Sequence, residues 1–164
     1  MSMSAEDVLE IYALLEGQNI KIWLDGGWAV DALLGEQTRE HDDLDIAAEK
    51  KDLPTLKNFL ESYGYRDTPK DEDKMWDLVL TNEEGKEIEV HAFSYGAEGK
   101  VVEEEYWNGY AADSLTGSGT IAGREVRCVS VSQLVKTHDK NKRELKEADY
   151  QDMERLSKKF GVTF

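Results

Sequence analysis

Asp43-Leu44-Asp45-Ile46 sets two carboxylates two residues apart in a run that alternates polar and apolar side chains. Residues i and i+2 of a strand share a face, so a strand here stacks Asp43 beside Asp45 and turns Leu44 and Ile46 to the core. Adjacent anions repel and oppose folding unless a cation lies between them. Hard oxygen donors favour Mg2+. Taken alone, the pair fits a solvated sheet edge as well as a metal site. A second run, Glu87-Ile88-Glu89-Val90-His91, repeats the pattern, with Glu89 and His91 on the face opposite Ile88 and Val90. If the two strands are neighbours, Glu89 adds a third carboxylate. Such a set holds a divalent ion and offers a base to a hydroxyl.

The chain around these runs reads as α/β (α+β), a mixed sheet flanked by helices. Ser4 caps a helix bearing Val8, Ile11, Tyr12 and Leu15, with Asp7 three residues after the cap and Gly17 just past the end. Ile20, Ile22 and Leu24 alternate with Lys21, Trp23 and Asp25 as a short strand. Gly26-Gly27 breaks it, and a short helix over 28–34 stops at Gly35. Asp52 caps a helix with Leu53, Leu56, Leu60 and Tyr63, Pro54 lying in its first turn. Trp76, Leu78 and Leu80 pair with Ile88, Val90 and Ala92 in a hairpin. Residues 94–119 are glycine-rich and acidic, a long loop or a short helix between loops. A second hairpin turns near Gly123, Ser130 caps a helix with Gln133 three residues on, and a last helix carries Asp149, Met153, Leu156 and Phe160. The expected division is a catalytic core over 1–115 and a C-terminal hairpin with helices over 116–164, packed on it.

Net charge is −15, unevenly spread: residues 1–115 hold 28 acids and 10 bases, whereas residues 116–164 hold 7 and 10. The first part, at −18, repels phosphate backbones, which excludes a general nucleic-acid binder. No apolar run approaches the roughly 18–20 residues of a membrane span. Glu6, Asp7 and Glu10 occupy the place of a leader's apolar stretch, and the single Cys128 excludes a disulfide framework. A cytoplasmic protein is the expectation. Gly26-Gly27 at a strand end lets backbone approach a ligand, and helix-start N–H groups attract phosphate. His41 and His91 are candidate ligands or bases, while His138 is too distant in sequence to join them. Asp31 reads as decorating the short helix, with a role beside the site as the alternative, Trp28 as packing, and Cys128 as a buried strand residue. Trp76, Tyr106, Trp107 and Tyr110 fit either an acceptor wall or core.

Trp23-Leu24-Asp25-Gly26-Gly27-Trp28-Ala29-Val30-Asp31, followed by Arg39-Glu40-His41-Asp42-Asp43-Leu44-Asp45-Ile46, resembles the antibiotic nucleotidyltransferases of the polymerase-beta-like superfamily. The small lincosamide nucleotidyltransferases match first and the aminoglycoside 2''-adenylyltransferases next. The acid in Ile88-Glu89-Val90-His91-Ala92-Phe93 falls where the family has its third, usually Asp. Past residue 94 the likeness is sparse, resting on Lys142, Asp149 and Asp152. The resemblance implies Mg2+-dependent transfer of a nucleoside monophosphate, AMP, from ATP to a hydroxyl of a lincosamide antibiotic. An aminoglycoside acceptor is the alternative, as is a non-catalytic antitoxin-like binding protein. It implies metal binding by Asp43, Asp45 and Glu89, with Glu89 as ligand or base, and triphosphate binding by Gly26 and Gly27. Arg39 is either a phosphate contact or the structural partner of a neighbouring acid. Lys142, with Lys136 and Arg143, is a further phosphate candidate. Related enzymes often dimerise, so a homodimer is also in view. A glycosyltransferase shares the Asp-x-Asp motif but needs a larger nucleotide domain before it.

Overall fold

The computed structural model describes residues 2–69, 77–104 and 107–164. Helix α1 (Ala5–Gly17) opens with a capping box: the Ser4 hydroxyl accepts from the Asp7 N–H and the Ser4 N–H donates to the Asp7 carboxylate. Its end differs from expectation. Gly17 lies within the helix, and Asn19, at φ 59°, takes the left-handed turn. Asn tolerates that conformation better than other side chains. Strand β1 (Ile22–Asp25) starts later than the alternation predicts, and all four of its residues are buried. A central strand covered on both faces loses its polar side.

Helix α2 (Gly26–Leu34) follows β1 directly and stops at Gly35, φ 80°. Strand β2 (Asp43–Glu49) and helix α3 (Leu53–Ser62) come next. Asp52 does not cap α3 with its side chain as predicted, because a 3-10 turn over Lys50–Asp52 already leads into the helix. A two-residue strand β3 (Arg66–Asp67), which alternation does not reveal, precedes the hairpin of β4 (Leu78–Thr81) and β5 (Glu87–Phe93). Trp76 and Tyr106 lie outside the described residues. Among its described residues the glycine-rich stretch is loop with one 3-10 turn until β6 (Gly117–Ile121), which pairs with β7 (Arg124–Cys128). Ser130 caps α4 (Val131–Thr137) through the Gln133 N–H as predicted, and α5 (Glu147–Phe160) ends the chain's regular structure.

The seven strands among the described residues form one mixed sheet in the order β3-β4-β5-β2-β1-β7-β6. The β2–β5 and β1–β7 pairs are parallel; the others are antiparallel. Leu24, Leu44, Ile46, Ile88 and Val90 fill the core beneath α2, α3 and α5 together with Leu56, Leu60, Met153 and Leu156. The central order β5-β2-β1 matters most, since it brings the two acidic runs side by side.

Candidate active site

Register builds the site. Parallel pairing sets Asp45 opposite Glu89 and Asp43 opposite Glu87, while antiparallel pairing sets Asp25 opposite Asp45. Three adjacent strands therefore carry a row of carboxylates at one end of the sheet. One oxygen from each of Asp43, Asp45 and Glu89 lies within 4.8 Å of the others. Burial, then the charges of Asp43, Glu89 and Asp25 and a hydrogen bond with Glu89, push Asp45 well above the usual carboxylate range. Asp45 Oδ1 is enclosed and has no hydrogen-bond partner among the described residues. An orphaned carboxylate oxygen inside an all-oxygen trio is what a hard divalent cation would complete, so the residues fit a metal.

The two glycines let the site's own side chains come up against the first turn of α2. Gly26 has φ +56°, and a Cβ there would stand 2.1 Å from Asp45 Oδ2. At Gly27 a Cβ would meet His41 Nδ1 at 2.6 Å and Arg39 Nη2 at 2.7 Å. Glycine is needed at both places because side chains of the site press against the first turn of α2. Arg39 makes a two-pronged contact with buried Asp152 of α5, Nε at 3.1 Å and Nη2 at 2.8 Å. Its guanidinium also lines the cleft. His41 shares a 2.6 Å hydrogen bond with Asp31, which also accepts from Thr38 Oγ1 at 2.6 Å. Asp31 is thus no surface decoration; it is fully buried and orients the cleft histidine. Trp28 packs its ring against His41, centroids 4.6 Å apart.

The cleft, about 450 Å³, draws its far wall from the C-terminal part. Thr137, His138, Arg143, Lys146 and Asp149 stand there, and Trp107, Asn108 and His91 close another side. All three histidines line it, so the sequence distance that set His138 apart was misleading. Asp149 is held well below the usual carboxylate range: burial acts upward, but His138, the Lys146 N–H and Arg143 outweigh it. Lys142 is exposed and outside the cleft lining, which includes the cations Arg143 and Lys146. Lys136 Nζ is bonded to Gly109 O at 2.7 Å. Buried Cys128 has its thiol pushed up to about 12 by burial and by the charge of Asp25, which makes it inert.

The model of the aminoglycoside-2''-adenylyltransferase family matches residues 7–156. The chain belongs to that family. Among relatives of this family member, a lincosamide resistance protein of Staphylococcus haemolyticus is 26% identical over 94% of this chain and 95% of its own length. A 2''-aminoglycoside nucleotidyltransferase of Klebsiella pneumoniae is 31% identical over 77% of this chain and 67% of its own. The lincomycin-bound lincosamide adenylyltransferase LnuA superposes with a TM-score of 0.80 at 26% identity, covering 96% of this chain and 98% of that one. ANT(2'')-Ia with adenylyl-2''-tobramycin gives 0.79 at 22% identity, over 96% and 89%, a likeness of fold.

For a member of the adenylyltransferase family, the acid row and glycine turn lie in the stretches that carried the sequence resemblance. Asp25 lies in the first of those stretches and Tyr110 among the aromatics that fit an acceptor wall or core, but the sequence does not pair them: the Tyr110 hydroxyl donates to Asp25 Oδ2 at 2.7 Å across 85 residues. Nothing in local spacing could show that contact.

Proposed function

We propose that the protein transfers AMP from ATP, with Mg2+, to a hydroxyl of a lincosamide antibiotic, releasing pyrophosphate. The observation that carries this reading is the Asp43–Asp45–Glu89 trio within 4.8 Å, with its orphaned Asp45 oxygen, against the first turn of α2. Asp43, Asp45 and Glu89 would hold the divalent ion, which supplies charge stabilisation to a transferring phosphoryl group. Gly26 and Gly27, which line the cleft at the first turn of α2, would hold the triphosphate, and Arg39, Arg143 and Lys146 place cations along the same cleft. The acceptor oxygen attacks the α-phosphorus, the bond to the bridging oxygen breaks, and Glu89 takes the hydroxyl proton. Little covalent help is asked of the protein; positioning and electrostatics carry the rate. The reaction draws on ATP, which puts it in the cytoplasm.

End-to-end alignment with the lincosamide relative supports the lincosamide acceptor. An aminoglycoside is the second reading, favoured by the family model and by Asp42 standing with the acid row in the cleft, a surrounding suited to several amines. Incubation with ATP, Mg2+ and a panel of both drug classes, read by drug mass, tests the proposal. A gain of one nucleotidyl unit names the acceptor. No adduct with any drug would refute antibiotic modification.

A further inference from the structure

Tyr110 is 2% exposed, and its hydroxyl is committed to Asp25. The other Asp25 oxygen, Oδ1, accepts the Gly26 N–H at 2.8 Å. Asp25 therefore has both oxygens engaged, and it stands beside the metal-fitting trio without belonging to it. The Tyr110 ring meets His91 and Phe93 of β5 edge-on, at 5.9 and 6.1 Å between centroids. One residue earlier, Gly109 O accepts from Lys136 Nζ at 2.7 Å and Gln133 Nε2 at 3.3 Å of α4. The chain at 109–110 is pinned to the acid row on one side and to α4 on the other. Trp107 and Asn108, just before these pins, line the cleft.

That wall differs in chemistry from the rest of the cleft. Arg39, Arg143 and Lys146 suit phosphates. Trp107 and Asn108 offer a ring face and an amide and no charge, which suits a hydroxyl-bearing, sugar-like acceptor. We propose that Tyr110 is a positioning residue: its bond to Asp25 fixes Trp107 and Asn108 relative to the acid row and thereby sets affinity for the acceptor. This rests on the nucleotidyl-transfer reading.

Steady-state kinetics of Tyr110→Phe and Lys136→Met test it. Loss of one hydrogen bond to a buried charge corresponds to about tenfold. The acceptor KM is expected to rise about tenfold in Tyr110→Phe and less in Lys136→Met, with kcat and the ATP KM within about twofold of the parent. A fall in kcat at unchanged acceptor KM, or an equal rise in the ATP KM, overturns the proposal. Should Tyr110→Phe fail to fold, Lys136→Met decides, and an unchanged acceptor KM there is the refuting result. A second measurement is independent of turnover. In protein labelled with 5-fluorotryptophan, the resonance assigned through Trp107→Phe should shift or broaden in Tyr110→Phe or Lys136→Met. An unmoved resonance refutes the positioning role even if the parent modifies no drug, whereas a moved resonance with an inactive parent refutes only the nucleotidyl-transfer reading.

Discussion

The acids at the sheet end and the acids of α5 carry the same charge and keep opposite company. Asp152 is met by the Arg39 fork and by Arg155 at 3.5 Å, and Asp149 by His138 at 3.5 Å and Arg143 at 3.2 Å. Asp45 is met by Asp43, Glu89 and Asp25, and one of its oxygens is left without a partner among the described residues. A charge neutralised within the chain opposes folding less than a crowd of like charges, which a cation would relieve. The same contrast explains how an acidic chain builds a cleft with a cationic wall, since the mildly basic tail sets Arg143 and Lys146 in its lining.

Asp45→Asn tests the sheet end most severely. We expect kcat to fall by at least about 10³ while the metal-free protein keeps or gains stability, because repulsion within the row is relieved. Added Mg2+ should raise the melting temperature of the parent by mass action and leave the variant unmoved. Calorimetric melting with and without metal checks this, and a destabilised metal-free variant would break the contrast.

Asp152→Ala should show the reverse pattern, a loss of about 2–4 kcal/mol by urea unfolding from leaving Arg39 unpartnered. Part of that is screened, as the Arg39 side chain is 27% exposed. Preserved stability would mean that Asp152 belongs with the functional acids. Gly27→Ala comes next. The added Cβ must displace His41 or Arg39, and we expect about 1–3 kcal/mol of destabilisation with a raised ATP KM, seen in melts and kinetics side by side.

The smallest effect is the pH dependence of Asp149. Its folded-state pKa lies below the unfolded value, so its contribution is fully present above about pH 4 and fades as pH falls toward the lowered value. Asp149→Asn should flatten the acid side of a melting-temperature profile below about pH 4 by a few degrees. An unchanged acid side would show that His138 and Arg143 do not stabilise its charge.

Much of the site was legible because its parts are local. Alternation in Asp43-Leu44-Asp45-Ile46 and in Glu87–Val90 dictates which side chains share a face, whatever strands lie between. The Gly26-Gly27 break and the Ser4 and Ser130 caps are likewise short-range signals. Failures came where a residue's role depends on a distant one. Asp31 looked like a surface acid on a short helix until the loop after α2 folded His41 and Thr38 onto it. Lys142 and Arg143 are neighbours in sequence, yet only Arg143 turns into the cleft.

The acid pairs, the turn above them and the absence of an apolar spanning run were set by the sequence alone, through the period of two of an extended chain. Tertiary structure decided the order β5-β2-β1, which makes two pairs one trio. It also decided which acids are neutralised. Charges on β2 and α5 look alike in the chain, and only packing brings Arg39 to Asp152, across 113 residues, while leaving Asp45 among its own kind.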